Sequence, residues 1–310
     1  MKIFKPKFWD QRPGILAYLL FPLSIFFGIV IFIRKKIIKK IKFNIPIICV
    51  GNIYLGGTGK TPSSILISNE LFKSGKRPAL IRKFYKDHLD EYQLIRSYNK
   101  NLFLDELRQN AINKSINEGY DIAILDDGFQ DYKINKDLNI LCFNQKQLLG
   151  NGFILPSGPL RENLFALKDV HIVLINGEKD KIFENKILSF NKNISIFYTK
   201  YVPTNLRNFM GKKLTAVAGI GNPENFFDIL DENNLNVSEK LIFPDHYNFS
   251  KSEILKIIDK ARSEGSKLIM TEKDYFRIEK FNLSEVNYLK MDLKIEEKDQ
   301  FLKKIMDLYD

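Results

Sequence analysis

The chain has 310 residues and a formal net charge of +11, long enough for one large or two ordinary domains and basic enough to raise nucleic acid as a partner. The charge is concentrated: residues 1–42 hold ten Lys and Arg against Asp10 alone, so +9 lies there and only +2 on the rest. A nearly neutral body excludes a general nucleic-acid surface.

Residues 15–33 are nineteen positions without a charge, interrupted only by Pro22, Ser24 and Gly28. Such a run either spans a hydrocarbon core or lies embedded in it as a hairpin. A cleaved secretory signal is disfavoured, because Arg34-Lys35-Lys36 follows where small residues should stand. The stronger basic cluster on the C-terminal side predicts that the body lies in the cytoplasm. It also suits anionic lipid head groups, so membrane lipids are expected partners.

Residues 45–50 form an apolar strand, and residues 51–62 read Gly-Asn-Ile-Tyr-Leu-Gly-Gly-Thr-Gly-Lys-Thr-Pro before an amphipathic run to Phe72. Strand, glycine-rich turn and helix is the setting a phosphate-binding loop needs, with backbone N–H groups and the helix dipole aimed at an anion. Gly56, Gly57, Thr58, Gly59, Lys60 and Thr61 are the candidate nucleotide-binding residues. Lys60 reaches the terminal phosphates, and Thr61 offers its hydroxyl to Mg²⁺. The strict pattern places a glycine where this chain has Tyr54.

Further strands are predicted at 77–82 and 120–128, with a helix at 105–118 ended by Gly119. Residues 138–143 and 170–175 are two more short apolar runs, so the first part reads as a parallel sheet covered by helices. Asp126 and Asp127 close the 120–128 strand, where a carboxylate can hold Mg²⁺ directly or through water opposite Thr61. Cys49 and Cys142 lie in apolar runs without metal-ligand spacing and read as buried, reduced thiols. The pattern pauses at 201–211. It resumes with strands at 214–218, 240–243, 267–270 and 286–289 and helices at 222–233, 250–263 and from 297. The expected organisation is therefore an anchor at 1–44, a P-loop α/β domain at 45–205 and a smaller α/β domain at 206–310.

The ordered set of motifs resembles the tetraacyldisaccharide 4′-kinases of lipid A biosynthesis. It runs through Gly56-Gly57-Thr58-Gly59-Lys60-Thr61-Pro62, Asp126-Asp127-Gly128-Phe129-Gln130, and Leu155-Pro156-Ser157-Gly158-Pro159-Leu160-Arg161-Glu162. Ala218-Gly219-Ile220-Gly221-Asn222-Pro223, Phe243-Pro244-Asp245-His246 and Thr271-Glu272-Lys273-Asp274 complete it. The resemblance implies a kinase at the bacterial inner membrane that moves the γ-phosphoryl group of ATP, with Mg²⁺, to a sugar hydroxyl of a lipid-linked disaccharide. It implies Asp90 and His246 as the catalytic pair, a carboxylate orienting the imidazole that accepts the hydroxyl proton. With Asp90 in the first domain and His246 in the second, that pairing would need the two domains to close. The resemblance also implies Arg82, Glu91, Arg108, Gln130, Arg161 and Glu162 as substrate or transition-state contacts, guanidinium being suited to phosphate oxygens.

The chain departs from the family pattern at several places. Ile81-Arg82-Lys83-Phe84 stands for Ser-Arg-Gly-Tyr, Leu89 and Tyr92 flank the Asp90-Glu91 pair in place of Gly and Pro, and Asp131 replaces a histidine. These bear on local contacts rather than on the reaction class. The alternatives are a membrane-attached GTPase-like nucleotide switch and a membrane protein with a vestigial loop. The guanine-reading pattern is out of register in Asn176-Gly177-Glu178-Lys179-Asp180 and Thr271-Glu272-Lys273-Asp274.

Overall fold

In the computed structural model, which describes residues 6–245 and 247–307, helix α1 (Ile15–Ile37) comes first, followed by β1 (Ile47–Gly51) and α2 (Lys60–Lys73). Then come β2 (Pro78–Lys83), α3 (Leu89–Tyr98), β3 (Leu102–Asp105), α4 (Arg108–Asn117) and β4 (Ile122–Asp126). Strand β5 (Leu138–Asn144), β6 (Ile172–Asn176), α5 (Lys181–Phe190) and β7 (Ser195–Pro203) complete the first stretch. The remainder is β8 (Lys213–Ala218), α6 (Pro223–Glu232), β9 (Asn236–Ile242), α7 (Lys251–Ser263), β10 (Lys267–Thr271), α8 (Glu272–Ile278), β11 (Asn287–Leu289), β12 (Met291–Ile295) and α9 (Lys298–Met306).

The larger sheet has the order β12-β7-β6-β5-β1-β4-β2-β3, and its pairs from β7 to β3 are parallel. Strands β1, β4 and β5 are buried along their whole length. Continuous apolar strands of this kind can be stable only with both faces covered. Each Ile, Leu or Val so buried contributes about 1.5–3 kcal/mol over its exposed state. The chain leaves β1 towards β2 on one side and later adds β5 on the other. The crevice at the carboxyl ends of β1, β4 and β5 is therefore a topological switch point, where open α/β sheets bind ligands.

The smaller sheet is also parallel, in the order β11-β10-β8-β9. Helix α6 begins with Pro223 at its first turn, and α7 begins with a capping box in which Ser250 and Glu253 satisfy each other's backbone N–H groups.

The chain divides into two compact units, one holding the chain up to Phe84, Asn101–Lys200 and the stretch from Lys294 on, the other Tyr85–Lys100 and Tyr201–Leu293. This differs from a split at residue 205 in two ways. The C-terminal helix α9 returns to the larger unit, where Lys298 Nζ meets the buried Glu70 at 2.6 Å. Helix α3, which lies within the 45–205 stretch expected as the first domain, packs on α8 within the smaller unit. There Lys273 Nζ lies 3.0 Å from Glu91 Oε1 and the Tyr98 hydroxyl donates to Glu272 at 2.7 Å.

Helix α1 has 23 residues, mean hydropathy 2.6 over its most apolar window, and length enough to cross a bilayer. One face nevertheless rests on the larger unit. Ala17 and Ser24 are buried, and Ser24 Oγ donates to Ile154 O and accepts from Ser157 N at 2.9 and 3.0 Å. Tyr18 meets Phe153 edge to face, and Phe21 lies tilted against the same ring. Ahead of the helix, Trp9 Nε1 donates to Pro156 O and Asp10 accepts from the Tyr54 hydroxyl.

Candidate active site

The phosphate-binding loop joins β1 to α2. A Cβ on Gly51 would lie 2.4 Å from that of Phe129, so only glycine lets the segment after Asp127 approach this strand end. Gly59 precedes α2 at φ 89°, a left-handed conformation that glycine adopts without penalty. The N-cap of α2 is Gly59, which has no side chain to bond the first N–H groups of the helix and so leaves them to an anion. Tyr54 stands where the strict pattern has glycine because its side chain is fully buried and tied to Asp10. Asn52, also fully buried, braces the loop by donating from Nδ2 to Gly56 O and Thr58 Oγ1 at 3.2 and 3.0 Å.

Asp126 ends β4 with no exposed surface. It accepts from Thr61 Oγ1 at 3.0 Å, from Ser64 Oγ at 3.3 Å and from Arg82 Nη1 at 2.5 Å. Arg82 Nη1 also donates to Thr61 Oγ1 at 2.9 Å, so one guanidinium nitrogen bridges the two side chains expected to hold Mg²⁺.

Asp127 has a left-handed backbone at φ 55°, which aspartate tolerates better than most residues. Arg108 Nη2 donates to its carbonyl at 2.7 Å, and Arg108 Nη1 lies 3.5 Å from Asp131. The carboxylate of Asp127 meets Arg161 Nη1 at 3.1 Å and Lys60 Nζ at 3.6 Å. Burial opposes its ionisation, but Lys60, Arg161, Arg108 and Arg82 together outweigh burial and hold its carboxyl below the usual aspartate range.

Gln130 donates to Asn52 O at 2.9 Å and to Glu162 Oε1 at 3.2 Å, and accepts from Arg161 Nη1 at 3.2 Å. Glu162 is buried and takes Lys35 Nζ at 2.5 Å on its other oxygen. Burial drives the Tyr132 hydroxyl pKa up, and the charge and hydrogen bond of Glu162 raise it further.

Lys60, Thr61, Arg82, Arg108, Asp126, Asp127, Gln130, Arg161 and Glu162 thus form one polar cluster around the loop. It is built for anion binding with carboxylates and a hydroxyl in support. Among the described residues no group of three or more His, Cys, Asp and Glu forms a metal cage. An ion here would take few protein ligands and keep other positions for phosphate and water, as Mg²⁺ does.

A sequence model of the family described as tetraacyldisaccharide-1-P 4′-kinase (LpxK) matches residues 16–309. The chain is 42% identical to a tetraacyldisaccharide 4′-kinase of Pelagibacter ubique (strain HTCC1062), over 99% of each. It is 31% identical to one of Rickettsia akari (strain Hartford), over 98% of this chain and 97% of the relative.

The chain belongs to the tetraacyldisaccharide 4′-kinase family.

Its fold is similar to that of LpxK from Aquifex aeolicus, solved in complex with ATP, with a TM-score of 0.76 at 23% identity, covering 96% of this chain and 100% of that one. Of the residues assigned through the 4′-kinase motifs as substrate or transition-state contacts, Glu91 is the one that does not belong to the larger unit. It lies in the smaller unit, paired with Lys273 and 3.3 Å from His88 Nδ1. The pairing of Asp90 and His246 across two domains is not how the chain is divided, because α3, which carries Asp90, groups with Tyr201–Leu293. His246 and the side chain of Asp90 lie outside the described residues.

His171, read as structural, accepts from Asn139 N at 3.0 Å, and burial lowers its pKa. Cys49 and Cys142 are free and buried, and burial pushes the Cys142 thiol up to about 12. Three contributors were not legible in the sequence: Asn52 as the brace of the loop, Ser64 on Asp126, and Lys35 on Glu162. The i,i+3 spacing of Thr61 and Ser64, which shares one face of α2, was the only local signal among them.

Proposed function

We infer that this protein is an ATP-dependent kinase that transfers the γ-phosphoryl group to the 4′-hydroxyl of a tetraacylated disaccharide 1-phosphate in lipid A biosynthesis. Family membership along nearly the whole chain supports this reading. One observation of the site carries it: Lys60, Thr61, Asp126 and Asp127 are already assembled at the sheet's switch point.

Phosphoryl transfer is mainly positioning and electrostatic stabilisation. Lys60 and the first N–H groups of α2 hold the terminal phosphates. Arg161 adds positive charge beside them, oriented by Asp127 and Gln130. Thr61 Oγ1 and Asp126 Oδ2, hard oxygen donors 3.0 Å apart, fit Mg²⁺, with Asp127 as a further carboxylate. When bound, the ion neutralises charge on the phosphates. Asp90 and His246 orient the sugar hydroxyl and accept its proton, which contributes about 10²–10⁴ in rate for a positioned base.

The enzyme works at the cytoplasmic face of the inner membrane, held there by α1. The face of α1 that does not rest on the larger unit exposes Leu16, Leu19, Leu23, Phe26 and Phe32. That face suits the acyl layer, and the basic cluster at Arg34 and beyond suits anionic head groups. A substrate with four acyl chains stays in the same layer, so the anchor raises its effective concentration.

Nucleotide choice tests the reading against a GTPase-like switch. The full-length protein in detergent, given γ-labelled ATP or GTP with the lipid acceptor, should pass label to lipid from ATP. Lys60→Ala should reduce turnover by about 10²–10³. Guanine selectivity with no labelled lipid would overturn it.

A further inference from the structure

The last turn of α1 reaches the catalytic cluster through a buried carboxylate. Lys35 Nζ lies 2.5 Å from Glu162 Oε2, and the Glu162 side chain is only 2% exposed. The ammonium also sits 5.1 Å from the centre of the Tyr132 ring and 5.8 Å from that of Phe129. These aromatic faces favour a cation at that point.

From Glu162 the contacts continue without a gap. Its Oε1 accepts from Gln130 Nε2 at 3.2 Å, which fixes the amide so that Gln130 Oε1 faces Arg161 Nη1 at 3.2 Å. The same Arg161 nitrogen donates to Asp127 Oδ1 at 3.1 Å, and Lys60 Nζ lies 3.6 Å from that oxygen. The chain of contacts therefore runs Lys35, Glu162, Gln130, Arg161, Asp127, Lys60.

We propose that Lys35 is a positioning residue for phosphoryl transfer, acting through Glu162 and Gln130 to keep Arg161 on Asp127 beside the phosphate-binding lysine. This rests on the assignment of Lys60 and Asp127 to the phosphate site. A buried carboxylate that loses its cation keeps only neutral donors, here Gln130 and Tyr132, and removing one member of such an ion pair is strongly destabilising locally. The nearest guanidinium on this path is Arg161. Without Lys35, Glu162 competes with Asp127 for Arg161 and the Gln130 amide loses its fixed orientation. Helix α1 is then part of the catalytic apparatus as well as an anchor. The link explains why the lysine stands on the side of the helix turned to the body, while Arg34 and Lys36 on either side are exposed.

The test compares Lys35→Met, Lys35→Arg, Glu162→Gln and the double variant Lys35→Met/Glu162→Gln with the full-length protein in detergent micelles. ATP and tetraacyldisaccharide 1-phosphate are the substrates, and kcat, both KM values, ATP affinity and partition into anionic vesicles are measured. Loss of a residue that orients a group touching the reacting atoms typically lowers activity about 10–100-fold. Lys35→Met should therefore lower kcat at least tenfold, with the lipid KM, ATP affinity and vesicle partition near wild type. Lys35→Arg should restore most of kcat, and the double variant should be no worse than Glu162→Gln. Wild-type kcat in Lys35→Met, or a change confined to lipid KM and vesicle partition, would overturn the proposal and make Lys35 a head-group contact. Losses that multiply in the double variant would also overturn it. Lys60→Ala serves as the reference: undiminished turnover there would sink the phosphate-site assignment itself, separately from Lys35.

Discussion

Replacing Arg82 by Met should expose how the buried Asp126 carboxylate is stabilised with and without Mg·ATP. Arg82 Nη1 is 2.5 Å from Asp126 Oδ2, and the two side chains are 10% and 0% exposed. Met retains much of the apolar stem and removes the charge. Breaking a buried ion pair from one side costs about 3–5 kcal/mol, because the remaining charge has no compensation. Thr61 and Ser64 still donate to Asp126, each contact contributing about 1 kcal/mol, which puts the loss near the lower end, about 3 kcal/mol. For a chain of 310 residues, with an unfolding entropy of about 2.1 cal/mol/K per residue, that corresponds to roughly 5 °C in Tm. Mg²⁺ with ATP would supply the missing positive charge at Asp126. Saturating Mg·ATP should therefore raise the Tm of Arg82→Met by more than it raises that of the wild type. Thermal unfolding by circular dichroism in detergent, with and without Mg·ATP, reads both quantities. An unchanged Tm without nucleotide would refute the buried-pair argument. Equal gains in the two proteins would show that Arg82 and the metal do not share Asp126.

Asp90→Ala and His246→Ala should each lower kcat by about 10²–10⁴ with ATP affinity retained, and the double variant should match the poorer single, since residues acting as a unit are not additive; strictly multiplying losses in steady-state assays would separate their roles. The carboxyl of Asp127 has a lower pKa in the folded protein than when unfolded, so its contribution to stability is present above the ordinary aspartate value of about 3.9 and is lost as pH falls through the folded value. The Tm difference between wild type and Asp127→Asn should accordingly be largest near neutral pH and shrink below about pH 4; a constant difference across that range would contradict it. Ser24→Val removes the hydroxyl shared by Ile154 O and Ser157 N, leaving a buried N–H unpaired at a cost of about 1–3 kcal/mol. Wild-type stability of that variant would mean that α1 does not rest on the 154–157 loop.

The parts legible in the sequence were those whose signal is local. The loop, the Asp126-Asp127 strand end and the apolar run of α1 each fit within about two dozen residues, and their residue types follow from phosphate, metal and lipid chemistry. Strand β9 was expected at 240–243 and extends over Asn236–Ile242. It is an edge strand whose burial alternates between half-buried and exposed, so no continuous apolar run marked its first half. Helix α3 carried little local indication of its unit, because Glu91 and Tyr98 find Lys273 and Glu272 far along the chain. The same holds for Lys35, one of many lysines in a basic stretch until Glu162 is placed beside it. Arg82 was legible as a site residue through its motif, but its bridge from Thr61 to Asp126 needed three elements brought together.

The proposed reaction transfers one phosphoryl group from ATP to the 4′-oxygen of the lipid-linked disaccharide. Mass spectrometry of tetraacyldisaccharide 1-phosphate incubated with full-length protein, Mg²⁺ and ATP tests it directly, with fragmentation to locate the new phosphate. The expected product is a bisphosphorylated lipid carrying the added group on the 4′-position, formed by the wild type and reduced by about 10²–10³ in Lys60→Ala. ATP hydrolysis with the lipid unchanged, or a phosphate added elsewhere on the sugar, would contradict it.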